Sequence, residues 1–154
     1  MVKSIRETYM AEFLENKATI SNIAEFLYNI YDIELKEYEL EEIKPYSRWK
    51  YNLDKQIMDI KNIVYINCYR NGNNEIKPFI CGVTKTGNDG TTDFDFNKHA
   101  NDETENYLIT GRSFLNDHGF DYDTEKIYMF GCQNKQDAYL LERAIQNKFN
   151  LFGS

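Results

Sequence analysis

The 154-residue chain holds only two prolines, three cysteines, one tryptophan and two histidines. Cys68, Cys81 and Cys132 are too few for a disulfide scaffold, and without a close pair such as CxxC they lack the spacing of a zinc site. Each lies in or beside an apolar run, which predicts reduced, buried thiols. No run of about 18 apolar residues occurs, so no membrane-spanning helix is expected. Met1-Val2-Lys3-Ser4 leads into an amphipathic pattern without an apolar secretory core, so a cytoplasmic protein is expected. Positive charge is also scarce: 18 Lys and Arg face 25 Asp and Glu, for a net charge of −7. That is the wrong sign for a surface that embraces a polyanion, although a local basic cleft or a metal ion can still meet phosphate.

What the chain does have is aromatic and aliphatic bulk. Hydrophobic residues make up 42%, with 12 Tyr and 10 Phe, which excludes a disordered polar chain and is enough for a real core. Tyrosine in this abundance also suits recognition, because the ring offers contact area and the hydroxyl a hydrogen bond. The length fits one domain with an N-terminal extension, and we divide it into a helical extension over 1–59 and a second unit over 60–154.

In the extension, Ile5, Tyr9, Phe13 and Leu14 recur at helical spacing over 3–16. A second amphipathic helix starts at a capping Ser21 and carries Ile23, Ala24, Phe26, Leu27 and Ile30. The glutamates that follow, Glu34, Glu37, Glu39, Glu41 and Glu42, would repel DNA from any reading helix here, so the pair is expected to serve packing or dimer formation. Pro45 breaks the pattern, and Tyr46, Arg48, Trp49, Lys50, Tyr51 and Lys55 then form a basic and aromatic cluster. Such a cluster suits nucleic-acid contact, or equally a core tryptophan flanked by solvated cations.

From Ile63 to Thr84, two runs rich in Val, Ile, Tyr and Phe flank Asn71-Gly72-Asn73-Asn74, whose residues tolerate left-handed backbone; the segment predicts a β-hairpin. Residues 85–106 are polar and glycine-bearing and read as a long exposed loop, with buried candidates Tyr107, Leu108, Phe114 and Leu115 beyond it. A third strand is expected over 123–131. A last helix, capped by Asn134 or Asp137, carries Ala138, Leu141, Ile145 and Phe149 at helical spacing. The expected class is α+β, a small three-stranded antiparallel sheet flanked by helices.

Ile63-Val64-Tyr65 opening one strand and Ile80-Cys81-Gly82-Val83-Thr84 closing the next resembles the paired signature of the GIY-YIG nuclease superfamily. The segment TGRSFLNDHG with Arg112 and the final helix with Glu142 fall where such a domain needs them, so the resemblance covers about 60–154 and rests on order and spacing. It implies a Mg²⁺- or Mn²⁺-dependent DNA endonuclease of restriction or phage type. Tyr65 would be the general base or water positioner, Arg112 the phosphate clamp and Glu142 the metal ligand. The first signature glycine is Ile63 here and the second tyrosine is Ile80, so Lys85 or Lys77 would supply positive charge to phosphate. Asn150 would match a family asparagine, and Arg48, Trp49 and Lys50 would add substrate contacts. Asn116 stands where the family often has a histidine, so no role is expected for His118 or His99.

Two other functions fit the residues. The chain can be an inactive acidic binding protein, a mimic of DNA that occupies the phosphate-binding groove of a nucleic-acid-binding partner, as its charge and tyrosines suggest. A dimerisation module needs only the amphipathic helices. Glu142 itself also has a simpler account, as a solvated helix glutamate pairing with Lys135 or Gln146.

Overall fold

The computed structural model describes residues 5–39, 41–43, 48–52, 62–85, 91–94, 120–123 and 125–153. Two helices, α1 (Ile5–Leu14) and α2 (Ile20–Tyr31), precede strands β1 (Lys36–Glu39), β2 (Glu41–Ile43) and β3 (Arg48–Asn52). The hairpin follows as β4 (Asn62–Arg70) and β5 (Ile76–Lys85). Next come β6 (Thr91–Phe94), β7 (Asp121–Tyr122), β8 (Lys126–Cys132), α3 (Lys135–Phe149) and β9 (Phe152–Gly153).

The α+β class holds, but the sheet is larger than the three-stranded antiparallel one expected. Its order is β1-β8-β4-β5-β9, with β7 also pairing β4, and all pairs are antiparallel except β5 with β9. A second sheet runs β2-β3-β6. Lys36–Glu39 and Glu41–Ile43 form strands, so no reading helix carries these glutamates: Glu37 and Glu39 lie on β1, Glu41 and Glu42 on β2. Residues 91–94, placed in a loop by composition, pair with β3. Short polar strands carry no apolar alternation, so periodicity cannot find them.

The hairpin forms where the sequence puts it. The Asn71 Oδ1 accepts from the backbone N–H of Asn73 and of Glu75, and the left-handed residue is Asn74 at φ 62°. Strand β4 is buried along seven consecutive residues because the sheet is covered on both faces. On one face Ile63, Tyr65 and Tyr69 pack with Phe13 of α1, Phe79 and Ile80 of β5, and Ile127 and Met129 of β8. On the other, Val64 and Ile66 pack with Cys81, Phe130 and Cys132, with Ile23 and Leu27 of α2, and with Ala138, Leu141 and Ile145 of α3. Each fully buried aliphatic or aromatic side chain of this kind contributes about 1.5–3 kcal/mol of transfer free energy.

A bulge explains why Phe79 and Ile80, neighbours in sequence, share one face. The pairing shifts from Asn67↔Ile80 to Cys68↔Pro78, which leaves Phe79 as the extra residue. Pro78, without an N–H to give, sits at this irregularity, as proline in a strand must.

The helix ends are locally encoded. Thr19, not Ser21, caps α2 by accepting from the Asn22 N–H, and Asp32 closes the helix in left-handed conformation. Asn134 caps α3 through the Asp137 N–H at 2.8 Å. The expected apolar face of α1 is only partly used: Phe13 is buried, whereas Ile5 is 90% exposed and Tyr9 is also exposed. In α2 the buried pair is Ile23 and Leu27, while Ile30 is 65% exposed, against the expectation from spacing. The three cysteines are free and buried, as expected.

Candidate functional site

The two faces of β4 decide what the proposed catalytic residues can do together. Side chains alternate along a strand, so Tyr65 points with Ile63 into the cluster under α1, while Val64 and Ile66 point toward α3. Glu142 rides on α3, and its charge is felt by Cys81 on that second face, where burial and Glu142 together push the thiol well up. Tyr65 and Glu142 are therefore on opposite sides of the sheet and do not converge on one hollow. Tyr65 is 7% exposed and belongs to the core.

Arg112, the phosphate clamp of the resemblance, and the buried candidates Tyr107, Leu108, Phe114 and Leu115 lie outside the described residues, as do His99, Asn116 and His118. The backbones of Arg48, Trp49 and Lys50 run in β3 and that of Lys85 ends β5, but their side chains lie outside the described residues. In the register of the second sheet Lys50 stands opposite Glu41 on one side and Asp93 on the other. Within the basic and aromatic cluster, Arg48, Trp49, Lys50 and Tyr51 thus belong to a strand between two strands, while Tyr46 and Lys55 lie outside the described residues.

The described cationic and amide candidates are engaged in holding the fold. Lys77 donates through Nζ to the Asn16 carbonyl at 3.2 Å. Asn150 closes α3 at φ 55° and donates through Nδ2 to the Glu12 carbonyl at 2.9 Å, which ties the end of α3 to α1. Ile80, in the place of the second signature tyrosine, is buried beside Phe79.

Glu142 is half-buried. Burial lifts its carboxyl above the ordinary range, and the Arg143 charge pulls partly against that lift. One turn on, Gln146 donates through Nε2 to the Cys81 carbonyl at 2.8 Å, fixing this flank of α3 over β5. Among the described residues no group of three or more His, Cys, Asp or Glu converges as a metal site, so Glu142 offers a lone carboxylate there.

A second feature went unread in the sequence. Between the end of α2 and the start of α3 lies a groove of about 640 Å³, lined by Tyr31, Ile33, Gly131, Cys132, Gln133, Asp137, Leu140 and Leu141. Leu140 is 59% exposed and Tyr31 43%. Burial and the nearby Asp137 push the Cys132 thiol up to about 11, so it stays neutral and inert near neutral pH. Leu140 is exposed beside the buried Leu141, outside the stripe of Ala138, Leu141 and Ile145 that the helical spacing marks.

Compared with protein-family descriptions, with curated proteins and with solved structures, the chain finds no match.

Proposed function

We propose that the protein acts by binding, as an acidic module that engages the cationic surface of a nucleic-acid-binding partner, and does not itself cut phosphodiester bonds. The observation that carries this is the separation of Tyr65 from Glu142 by the thickness of the sheet. Hydrolysis needs its water-activating group and its charge-stabilising groups within hydrogen-bond reach of the same phosphate. A buried phenol under α1 and a half-buried carboxyl over β5 do not meet that requirement. The net charge of −7 adds long-range attraction for a basic partner and repulsion from DNA.

A metal-dependent DNA endonuclease of GIY-YIG type is the second reading. It is favoured by the order of elements, a hairpin with a third strand beside its first strand and then a helix bearing Glu142, and by the lifted carboxyl of that residue. One assay separates the two: plasmid and short duplex DNA incubated with Mg²⁺, Mn²⁺ or EDTA, using the native chain and Tyr65→Phe, Arg112→Ala and Glu142→Ala. The binding module leaves plasmid intact in every lane. Metal-dependent cutting that Glu142→Ala and Arg112→Ala abolish would overturn it in favour of the nuclease.

A further inference from the structure

We propose that the groove between the C-terminal end of α2 and the first turns of α3 is a docking site for a protein segment carrying lysine or arginine beside a leucine-sized or aromatic side chain. The proposal rests on the binding function above and names where, and to what chemistry, that binding occurs.

The floor and walls supply the apolar part. Ile33, Leu140, Leu141 and Tyr31 line the groove. Tyr28, one helical turn before Tyr31, and Tyr139, which precedes Leu140 in sequence, are also exposed. Exposed apolar side chains gathered on two elements around one concavity are the composition of a contact surface, where tyrosine is enriched and lysine depleted.

Charge selects the occupant. Among the described residues, no Lys, Arg or His lines the groove, while Asp137 does, and exposed Asp32 and Glu34 flank its Ile33. The C-terminal end of α2 is the negative end of a helix dipole, and that helix has no basic residue in its last turn to answer it. The opposing positive end of α3 is already met by Asp137 in its first turn. Three cations stand nearby outside the lining: Lys135 lies over the Tyr139 ring at 5.6 Å, Arg143 is two residues past Leu141, and Lys148 lies at 5.2 Å over the ring of Phe26, which packs edge-on against Tyr31. A cationic side chain therefore gains at the rim while its apolar neighbour fills the groove. A second copy of this chain is disfavoured as occupant, because two bodies each of charge −7 repel.

The test is a ¹H–¹⁵N titration of the full chain with a short synthetic peptide of alternating lysine and leucine, a glutamate–leucine peptide as control, and the exposed-site variants Leu140→Lys and Tyr31→Ala. Saturable shifts centred on the amides of Tyr31, Cys132, Gln133 and Leu140 are expected with the lysine peptide. Binding should weaken on the order of tenfold in Leu140→Lys, whose spectrum elsewhere is unchanged, and should weaken again as salt is raised. Equal binding of the glutamate peptide, equal binding by Leu140→Lys, or shifts confined to the α1 face would overturn the groove and leave the acidic module standing. Self-association that protects the groove amides would overturn it in favour of a second copy. DNA cutting in the plasmid assay would remove the reading on which it rests.

Discussion

At the scale of single residues, burial sets what each polar group does. Asn67 is buried in β4 just before the bulge, and its Nδ2 has no hydrogen-bond partner among the described residues. An orphaned buried donor costs about 1–3 kcal/mol, so Asn67→Leu is expected to stabilise the protein by about 1 kcal/mol in urea unfolding; a loss of stability would show that the amide is bonded. Glu142 gives a pH signature. Because burial lifts its folded carboxyl above the unfolded value, the linked stability is complete below the ordinary carboxylate range and is lost as pH rises through the lifted value. Glu142→Gln should therefore melt higher than the native chain at neutral pH, with the gap closing in acid; thermal melts from acid to neutral pH measure it. Glu142 was legible as a candidate from its place in the final helix. That it lies across the sheet from Tyr65 was not, because side-chain facing depends on which strand the helix covers.

At the scale of elements, the Asn16 side chain ties down the segment between α1 and α2, beside the bond that Lys77 makes to the Asn16 carbonyl. Asn16 is buried; its Nδ2 donates to the Phe13 carbonyl and to the Pro78 carbonyl of β5, while its Oδ1 accepts from the Ala18 N–H. Asn16→Ala breaks all three buried bonds, so a loss of about 2–3 kcal/mol is expected by chemical denaturation. The bulge gives a matching test. Phe79 is fully buried, edge-on to Tyr69 and stacked with Phe152 at 6.0 Å, and Phe79→Ala should cost about 3–5 kcal/mol in the same measurement. The long helices and the hairpin could be read from periodicity and from Asn-rich turn chemistry. Strands β1, β2 and β6 could not, because Lys36–Glu39 and its like show no apolar alternation and pair only once β8 or β3 is in place.

At the scale of the whole molecule, charge and shape work together. A body of net charge −7 whose described Lys77 is spent inside the fold is expected to leave short duplex DNA unshifted in a gel at about 0.1 M salt. Retardation under those conditions would indicate a basic cleft strong enough to overcome that field. Under the proposed binding function, the same acidic field would draw in a basic protein, and the groove beside α2 would give that encounter an apolar contact.

What the sequence determined by itself was local: the hairpin at Asn71–Asn74, a capped start for α3 at Asn134 or Asp137, the apolar stripe through Ala138, Leu141 and Ile145, and the sign of the net charge. Each depends on residues close in the chain or on a plain sum. The tertiary structure alone decided that β1 and β9 widen the sheet, that Tyr65 and Glu142 face apart, and that Tyr31 and Leu140 stand open around a groove. Those outcomes are set by which distant elements pair, and a strand buried on both faces carries no alternation in its sequence to show which side each residue takes.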